Sequence, residues 1–250
     1  MKGIRNGVAF ITGGENGLGA AISKKFAEEG AKVIIFGIDE INGNKVAEEC
    51  NKLTEGAMFI KGDVTNNDDI KNAMNIIKDK YVKLDFAVNN AGVTGGLKDF
   101  NTTSIEQYDF IMNINVKGVF LCMQNEIKMM LENKAGKIVN VSSEAGTSAG
   151  FAGLSVYVGS KHAVNGLTKA AAIENAPNGI NINAIAPGTM STPLVLAFPQ
   201  KDQDALASIR PSNRLVDVES VANAAVYLCS DYSNDMVGTI LPIDGGNTIK

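Results

Sequence analysis

Short apolar runs rich in β-branched residues recur along the chain, and amphipathic segments separate them. Seven of these runs predict strands, over Val8–Thr12, Lys32–Phe36, Ala57–Lys61, Leu84–Val88, Ile138–Val141, Gly179–Ala186 and Thr239–Ile243. Apolar residues at helical spacing predict helices over Ala20–Glu29, from Asp39 to about Leu53, over Asn66–Asp79 and Ser104–Asn133, after Tyr157, and over Val218–Cys229. This alternation predicts one α/β domain spanning residues 1–250, with a doubly wound parallel sheet of about seven strands and helices on both faces.

The composition excludes several classes of function. The 250 residues are 45% hydrophobic and 20% charged, with a formal net charge of −4 and a pI of about 5.2. A net negative charge argues against nucleic-acid binding, which needs clustered Lys and Arg. Apolar runs such as Val33–Phe36 are too short to span a bilayer. We therefore expect neither a nucleic acid nor a membrane as a partner.

The cysteines and the N-terminal segment predict a cytoplasmic protein. Cys50, Cys122 and Cys229 are scattered without a C-x-x-C spacing, and His162 is the single histidine. We therefore expect neither a disulfide framework nor a metal site. The apolar run at residues 8–12 breaks at once into glycines, unlike a secretion signal.

The glycines between the first strand and the first helix predict a phosphate-binding loop. This loop reads Gly13-Gly14-Glu15-Asn16-Gly17-Leu18-Gly19. Glycines let the backbone approach a pyrophosphate, while the N-terminus of the following helix presents free N–H groups. Asp63, Asn90–Gly92 and Ser143 follow other predicted strands. Ligands of parallel sheets lie at the carboxyl ends of the strands, so these residues are expected along one ligand-binding edge.

The end of the second predicted strand bears on the choice between the two nicotinamide dinucleotides. An acidic residue there binds the ribose 2′-hydroxyl and repels a 2′-phosphate. The turn reads Phe36-Gly37-Ile38-Asp39-Glu40 and contains no Lys or Arg, while Asp39, Glu40 and Glu15 add negative charge. The pattern favours NAD, with Asp39 as the ribose ligand. The structural alternative is that Asp39 is only the N-cap of the next helix.

The spacing of Tyr157 and Lys161 predicts a site for acid/base catalysis. They lie four residues apart in a segment rich in helix formers, and so share one helix face, while Ser143 follows the strand Ile138–Val141. A lysine cation beside a phenol favours the phenolate and lets it act as an acid or base nearer neutral pH. The alternative is an ordinary half-buried ring and a solvated amine.

The chain resembles the short-chain dehydrogenase/reductase family. The resemblance rests on motifs that span nearly the whole chain in family order, namely Thr12-Gly13-x-x-x-Gly17-x-Gly19, Asn89-Asn90-Ala91-Gly92, Asn113-Ile114-Asn115-Val116-x-Gly118-Val119-Phe120, Ser143, Tyr157-x-x-x-Lys161 and Pro187-Gly188. It implies a Rossmann-type fold, NAD(P) binding and reversible oxidation of a secondary alcohol to a carbonyl.

The resemblance also implies roles for individual residues. Tyr157 would be the acid/base, Lys161 would lower its pKa and hold the nicotinamide ribose, Ser143 would bind the substrate oxygen, and Asn115 would help a water-linked proton relay. Ser142 remains an alternative catalytic serine. Besides Tyr157 and Lys161, the implied cofactor contacts are Gly13, Asn16, Gly17, Leu18, Gly19, Ile38, Asp39, Asp63, Val64, Asn90, Ala91, Gly92, Pro187, Gly188, Met190 and Thr192.

Two departures from the family pattern leave the cofactor open. Members that prefer NAD commonly have Asp at the position of Gly37, and members that prefer NADP commonly have Arg at the position of Ile38 or Asn16. This chain has neither. NAD is the favoured cofactor on charge, and NADP is not excluded.

Two segments bear on assembly and substrate. The apolar helix predicted over Ser104–Asn133, together with the helix after Tyr157, resembles the pair that the family uses in dimers and tetramers, so a homotetramer or homodimer is expected; plain core burial is the alternative. Residues 190–215 resemble a substrate lid, with apolar residues Leu194, Val195, Leu196 and Phe198. The candidate substrates are small alcohols or ketones, either cyclic or hydroxysteroid-like alcohols or polyols and sugars.

Other functions stay open at this point. An NADPH-dependent 3-oxoacyl thioester reductase is one alternative, although no basic pocket for its phosphate is visible. A non-catalytic NAD(P)-sensing protein is another, but it would not need a proton relay. A methyltransferase on a similar sheet would leave the pair of Tyr157 and Lys161 unexplained.

Overall fold

Seven parallel strands form a single sheet in a computed structural model that describes residues 1–147 and 150–250. The strand order is β3-β2-β1-β4-β5-β6-β7. The strands are β1 Val8–Thr12, β2 Lys32–Gly37, β3 Met58–Lys61, β4 Phe86–Asn89, β5 Gly136–Val141, β6 Ile180–Pro187 and β7 Ile240–Ile243. This confirms the predicted sheet. Residues 148 and 149, in the Gly- and Ala-rich connection after Ser143, and the side chain of Leu194, in the predicted lid, lie outside the described part.

Helices cover both faces of the sheet. They are α1 Gly17–Glu28, α2 Glu40–Asn51, α3 Asn67–Tyr81, α4 Ile105–Met112, α5 Val119–Asn133, α6 Ser155–Asn175, α7 Pro193–Leu196, α8 Gln200–Ser208 and α9 Val218–Cys229. The single helix predicted over Ser104–Asn133 is wrong in one respect, because a π-helical turn at Asn113–Gly118 separates α4 from α5. Such turns widen a helix locally and are common at functional sites. None of the helices in the described ranges is both long and apolar enough to cross a membrane.

The fourth strand starts later than its apolar run predicts. Leu84 is buried ahead of the strand, and Asp85 joins it to β1, because its amide donates to the Val8 carbonyl oxygen at 3.1 Å and its carboxylate accepts from the Val8 amide at 2.9 Å. The strand therefore begins at Phe86 and runs on to Asn89.

Two hydrophobic clusters fill the space between the sheet and its helices. Side chains alternate across a strand, so Ile11 packs in one cluster with Phe26 of α1, and Phe10 packs in the other with Ile77 of α3. Every residue of β1 is buried. A strand buried on both faces reads as a continuous apolar run, which is why the sequence pattern located it.

The strand order reverses at β1. Thr12 at the end of β1 pairs with Phe36 of β2 on one side and with Asn89 of β4 on the other. Asn89 in turn pairs with Asn140 of β5. The connections from these two sides leave in opposite directions, which opens a crevice at the carboxyl ends of the strands, where ligands bind in sheets of this kind.

Candidate active site

Two adjoining cavities follow the carboxyl edge of the sheet. The larger, which we call the nucleotide cavity, has a volume of about 800 Å³ and is lined by the glycine-rich loop and the ends of β2 and β4. The smaller, the catalytic cavity, has a volume of about 400 Å³ and contains Ser143, Tyr157 and Lys161. They share Asn90, Gly92, Val93 and Thr192 as lining residues. One elongated molecule could therefore occupy both.

The glycine-rich loop is fastened to the end of β4. Thr12 Oγ1 accepts hydrogen bonds from the amides of Asn90 at 3.0 Å and Ala91 at 3.1 Å. The side-chain amide of Asn90 donates in return to the carbonyl oxygens of Thr12 at 3.1 Å and Gly13 at 3.0 Å. In these four bonds each segment satisfies backbone groups of the other, so the glycine-rich loop and the end of β4 hold each other in place.

The loop has room for a pyrophosphate only because of its glycines. Gly13 and Gly17 have φ of +60° and +50°, in the left-handed region. A Cβ on Gly19 would lie 2.0 Å from the Gly13 carbonyl oxygen. The helix α1 begins at Gly17, three residues before the predicted start at Ala20, and its N-cap residue Asn16 makes no capping side-chain hydrogen bond. The first amides of α1 thus stay available to an anion, so the residues fit a dinucleotide.

Most of the predicted cofactor contacts line these cavities. The nucleotide cavity contains Gly13, Asn16, Gly17, Ile38, Asp63, Val64, Asn90, Ala91, Gly92 and Thr192. The catalytic cavity contains Leu18, Tyr157, Lys161, Pro187, Gly188 and Met190. Gly19 lines neither cavity, but its lack of a side chain lets the Gly13 carbonyl oxygen pack against it. Asp39 is the remaining predicted contact, and its carboxylate is used elsewhere.

The Asp39 carboxylate caps helix α2. Its two oxygens accept hydrogen bonds from the backbone amide of Asn42 at 3.1 Å and from the Asn42 side chain at 2.7 Å. These bonds lower the pKa of Asp39 below its ordinary value. The structural alternative stated for this residue is therefore present, and a role in ribose binding stays a prediction.

Glu15 is a cavity residue that the sequence interpretation did not single out beyond its charge. It lies in the glycine-rich loop, lines the nucleotide cavity and is only 8% exposed. Burial raises its pKa, against the opposing effect of backbone hydrogen bonds from Glu15, Ile38 and Asp39. The signal that could have identified it is the combination of Glu in the loop with Gly37 at the strand end where the family often has Asp.

Ser143 and Tyr157 meet in the catalytic cavity. Ser143 follows β5, and its hydroxyl oxygen accepts a hydrogen bond from the Ala145 amide at 3.1 Å. Burial raises the pKa of the Tyr157 phenol, and a side-chain hydrogen bond with Ser143 opposes that rise. Burial makes the largest contribution, so the net pKa of the phenol lies above its ordinary value, and the expected effect of Lys161 on this pKa stays a prediction. Tyr157 is a neutral phenol at neutral pH.

Lys161 is buried beside Tyr157. Its ammonium lies 5.7 Å from the centre of the Tyr157 ring and donates a hydrogen bond to the Val141 carbonyl oxygen at 2.8 Å. Burial lowers the pKa of Lys161 to about 8. Lys161 is thus no solvated amine, because it is only 4% exposed, and together with the partly exposed Tyr157 it lines the catalytic cavity.

Asn115 lies at the π-helical turn and is fully buried. Its Oδ1 accepts from the Val93 amide at 2.8 Å, and its Nδ2 donates to the Val93 carbonyl oxygen at 2.8 Å and to Ser160 at 3.0 Å. A Cβ on Gly92 would lie 3.3 Å from Asn115 Oδ1 and 3.4 Å from Lys161 Nζ. The Asn115 side chain therefore fixes the loop after β4 beside the lysine, and its part in a proton relay stays a prediction.

The second serine faces the helix. Ser142 Oγ donates to the backbone carbonyl of Lys161 at 3.3 Å, whereas Ser143 contacts the Tyr157 phenol. This difference favours Ser143 as the substrate-binding serine.

Comparisons with known proteins agree with this geometry. A family model described as enoyl-(acyl carrier protein) reductase matches residues 13–248. The chain is 38% identical to xanthoxin dehydrogenase of Arabidopsis thaliana, covering 96% of this chain and 89% of that protein. It is 36% identical to the 3-oxoacyl-[acyl-carrier-protein] reductase FabG of Thermotoga maritima, covering 97% of this chain and 98% of the relative.

A solved structure has the same fold. The crystal structure of a variant of the actinorhodin polyketide ketoreductase with NADPH superposes with a TM-score of 0.92 at 27% identity, covering 100% of both chains. A cyclohexanol dehydrogenase of an Acinetobacter strain is 34% identical over 98% of this chain and 96% of its own length. The chain therefore belongs to the short-chain dehydrogenase/reductase family and is an NAD(P)-dependent oxidoreductase of the alcohol dehydrogenase and ketoreductase type.

Proposed function

We propose that this protein is an NAD-preferring dehydrogenase of cyclic secondary alcohols, with Tyr157 as its acid/base. The observation that carries the proposal is the meeting of Ser143, Tyr157 and Lys161 in an apolar cavity that continues into the nucleotide cavity. The whole of residues 1–250 acts as one catalytic domain, with the segment 190–215 as the lid over the substrate.

The protein supplies the proton chemistry of this reaction. The bound nicotinamide dinucleotide supplies hydride transfer, which no side chain can perform. Ser143 holds the substrate oxygen by a hydrogen bond, and the Tyr157 hydroxyl gives that oxygen a proton during carbonyl reduction or takes one during alcohol oxidation. Lys161 places a buried positive charge beside the phenol, where it stabilises the phenolate as it forms.

The protonation state of Tyr157 sets the direction in which pH acts. Because burial raises the pKa of Tyr157, the phenol is ready to donate a proton to a carbonyl at neutral pH. Alcohol oxidation needs the phenolate, so its rate should rise as the pH increases toward the pKa of Tyr157. Reduction should be favoured at lower pH.

The walls of the catalytic cavity favour an apolar ring. Apart from the reacting groups, the lining includes the apolar residues Val93, Phe151, Leu154, Val195, Leu206 and Ile209, together with a smaller polar part that includes Thr94, Glu144, Thr189 and Thr192. A polyol or sugar would leave several hydroxyl groups without partners against these walls, at a cost of roughly 1–3 kcal/mol for each. A cyclic alcohol presents one hydroxyl to Ser143 and Tyr157 and apolar carbon elsewhere.

A substrate panel tests this proposal. The purified protein is assayed with cyclohexanol, borneol and a hydroxysteroid as alcohols, with a polyol as the polar control, using NAD and NADP in parallel. We expect turnover of at least one cyclic alcohol with NAD and none of the polyol. Oxidation of the polyol in preference to every cyclic alcohol would contradict the assignment of the substrate class.

A second function is supported by the 36% identity to a 3-oxoacyl-[acyl-carrier-protein] reductase and by the ketoreductase structure with NADPH. It is reduction of a 3-oxoacyl thioester with NADPH. Acetoacetyl thioester in the same assay distinguishes the two, since efficient reduction with NADPH and no oxidation of cyclic alcohols would replace the first proposal by the second.

We further propose that the protein is a cytoplasmic homotetramer. Phe120 at 46% exposure and Ile173 at 75% are large apolar side chains exposed on α5 and α6. A second copy that covers this face would remove them from water. The free, buried cysteines fit a reducing compartment. Light scattering coupled to gel filtration tests the assembly, and a monomeric mass at micromolar concentration would contradict it.

A further inference from the structure

The space beside Gly37 is filled by a side chain from another part of the sequence. A Cβ on Gly37 would lie 2.1 Å from Glu15 Oε2, 2.2 Å from Oε1 and 2.3 Å from Cδ. The Glu15 carboxylate therefore occupies the volume that a side chain on the last residue of β2 would need. Gly37 and Glu15 are a matched pair, because the carboxylate fits there only when residue 37 has no side chain.

One oxygen of this carboxylate lacks a partner. Glu15 is buried to more than nine-tenths, yet Oε2 accepts no hydrogen bond in the described structure. A buried carboxylate oxygen without a donor is costly. Glu15 also lines the nucleotide cavity, so a molecule bound there could supply the missing donor.

The position of the pair indicates which donor that would be. Gly37 ends β2, next to β1 and the glycine-rich loop. In a dinucleotide bound with its pyrophosphate at the N-terminus of α1, the adenosine ribose lies at the end of this strand. Its 2′-hydroxyl is a hydrogen-bond donor in NAD and is replaced by a phosphate in NADP.

We propose that Glu15 selects the cofactor: its carboxylate, placed from the glycine-rich loop into the space beside Gly37, accepts a hydrogen bond from the ribose 2′-hydroxyl of NAD and repels the 2′-phosphate of NADP. The inference rests on the proposed function, since it requires a dinucleotide in the nucleotide cavity. It assigns to Glu15 the role that the sequence pattern assigned to Asp39.

The charges around Glu15 support this selection. Asp39 is close enough to add to the negative potential at Glu15. Among the described residues that line the nucleotide cavity, none is Lys or Arg. A 2′-phosphate would therefore meet the Glu15 carboxylate, with the negative charge of Asp39 nearby and no cation among these lining residues, whereas a hydroxyl would meet an acceptor.

Direct binding measures the selection without a substrate. NADH and NADPH are titrated into the wild-type protein, Glu15→Gln and Glu15→Ala, following nicotinamide fluorescence. We expect the wild type to bind NADH at least 10-fold more tightly than NADPH, and both variants to lose most of that ratio. The ratio should change through weaker NADH binding and stronger NADPH binding together. A matched control is Glu40→Gln, which removes a neighbouring exposed carboxylate that pairs with Lys61 and should leave the ratio within about 2-fold of the wild type.

A residue exchange tests the spatial pairing. Gly37→Asp alone should weaken binding of both nucleotides, because the new side chain and Glu15 claim the same volume. Glu15→Ala with Gly37→Asp should restore the preference for NADH, since the carboxylate then comes from the strand. Thermal unfolding of each variant in the absence of nucleotide separates a folding defect from a binding defect.

The outcomes separate the two proposals. If the wild type binds neither nucleotide, the proposed function fails. If the wild type prefers NADH but Glu15→Gln and Glu15→Ala keep the wild-type ratio, the function stands and the role of Glu15 is wrong. Preference of the wild type for NADPH would overturn the role of Glu15 while leaving the protein a nicotinamide enzyme.

Discussion

A carboxyl group in the middle of α5 should make the stability of the protein depend on pH. Glu126 is fully buried between the helix and the sheet, where its Oε2 accepts a hydrogen bond from Asn89 Nδ2 at 3.0 Å. The other Glu126 oxygen and Asn89 Oδ1 have no partner in the described structure. Burial raises the pKa of Glu126 from 4.5 to about 8, against the opposing effect of the Asn89 hydrogen bond. We expect Glu126 to be protonated in the folded protein at neutral pH.

The magnitude follows from proton linkage. The folded protein binds this proton more tightly than the unfolded chain does, so the stabilisation is fully present below the unfolded pKa of 4.5 and is lost as the pH rises through the folded pKa of about 8. With these two pKa values, the free energy of unfolding should fall by about 2 to 3 kcal/mol between pH 5 and pH 7, and by about 4 kcal/mol between pH 5 and pH 9.

Glu126→Gln removes the titration and preserves the shape of the side chain. Urea unfolding of the wild type and the variant, followed by circular dichroism across this pH range, gives the difference in free energy at each pH. We expect the free energy of unfolding of the variant, relative to that of the wild type, to rise by roughly 1.4 kcal/mol per pH unit between pH 5 and pH 7. This is the slope that one additional bound proton in the folded wild type produces. Glu132→Gln is the control, because Glu132 lies on the same helix but is exposed and pairs with Lys78.

Parallel pH profiles of the wild type and Glu126→Gln would refute this reasoning. They would mean that Glu126 is already ionised in the folded protein, or that its surroundings reorganise to admit water. If the parallel profiles were also offset, with the variant less stable by the same amount at every pH, Glu126 would contribute only its hydrogen bond with Asn89.

Three further changes test other parts of the structure. Tyr157→Phe should lower turnover by at least about 100-fold while leaving NADH binding within a few-fold, and unchanged turnover would rule out its role as acid/base. Gly19→Ala should abolish tight nucleotide binding, because its methyl group would lie 2.0 Å from the Gly13 carbonyl oxygen. Gly166→Ala, which adds a methyl group in open space on α6, is the control for helix propensity. Equal nucleotide binding by the two variants would contradict the close contact between Gly19 and the loop. Arg210→Met should lower the free energy of unfolding, measured in urea, by about 3 to 5 kcal/mol. In the wild type the Arg210 guanidinium lies 2.7 Å from the buried Glu144 carboxylate, and the variant leaves that carboxylate without its cation. Adding Glu144→Gln should recover part of that loss, and no loss in the first variant would mean that water reaches the pair.

Local sequence patterns identified the elements and most of the site. The strands at the centre of the sheet are buried on both faces, so their apolar runs were visible without knowledge of their neighbours. The glycine-rich loop and the Tyr157 and Lys161 pair each lie within one strand–helix or helix segment, so spacing alone predicted what they would present. The π-helical turn at Asn113–Gly118 was not predictable this way, because an extra residue in a helical turn leaves the apolar period almost unchanged.

The protonation of buried groups depends on packing between distant segments. Spacing predicted a lysine beside the Tyr157 phenol, but the burial that raises the pKa of this phenol depends on the packing of α6 against the sheet. Glu126 stands in the buried stripe of α5 with Cys122, Met123 and Met130. Only the packing of that stripe against β4 shows that its carboxyl has no route to water.

The sequence by itself determined the parallel α/β fold and the family, and it located the glycine-rich loop and the predicted catalytic residues, because each of these features depends on short-range pattern and spacing. The capping of α2 by Asp39 is a local contact that the sequence offered as an alternative, whereas tertiary structure alone decided that Glu15 fills the space beside Gly37. Glu15 and Gly37 are far apart along the chain and meet only because β1 pairs with β2. The Glu15 carboxylate lies at the cavity because the volume beside Gly37 is free for it, and that volume is defined only once the glycine-rich loop packs against the end of β2.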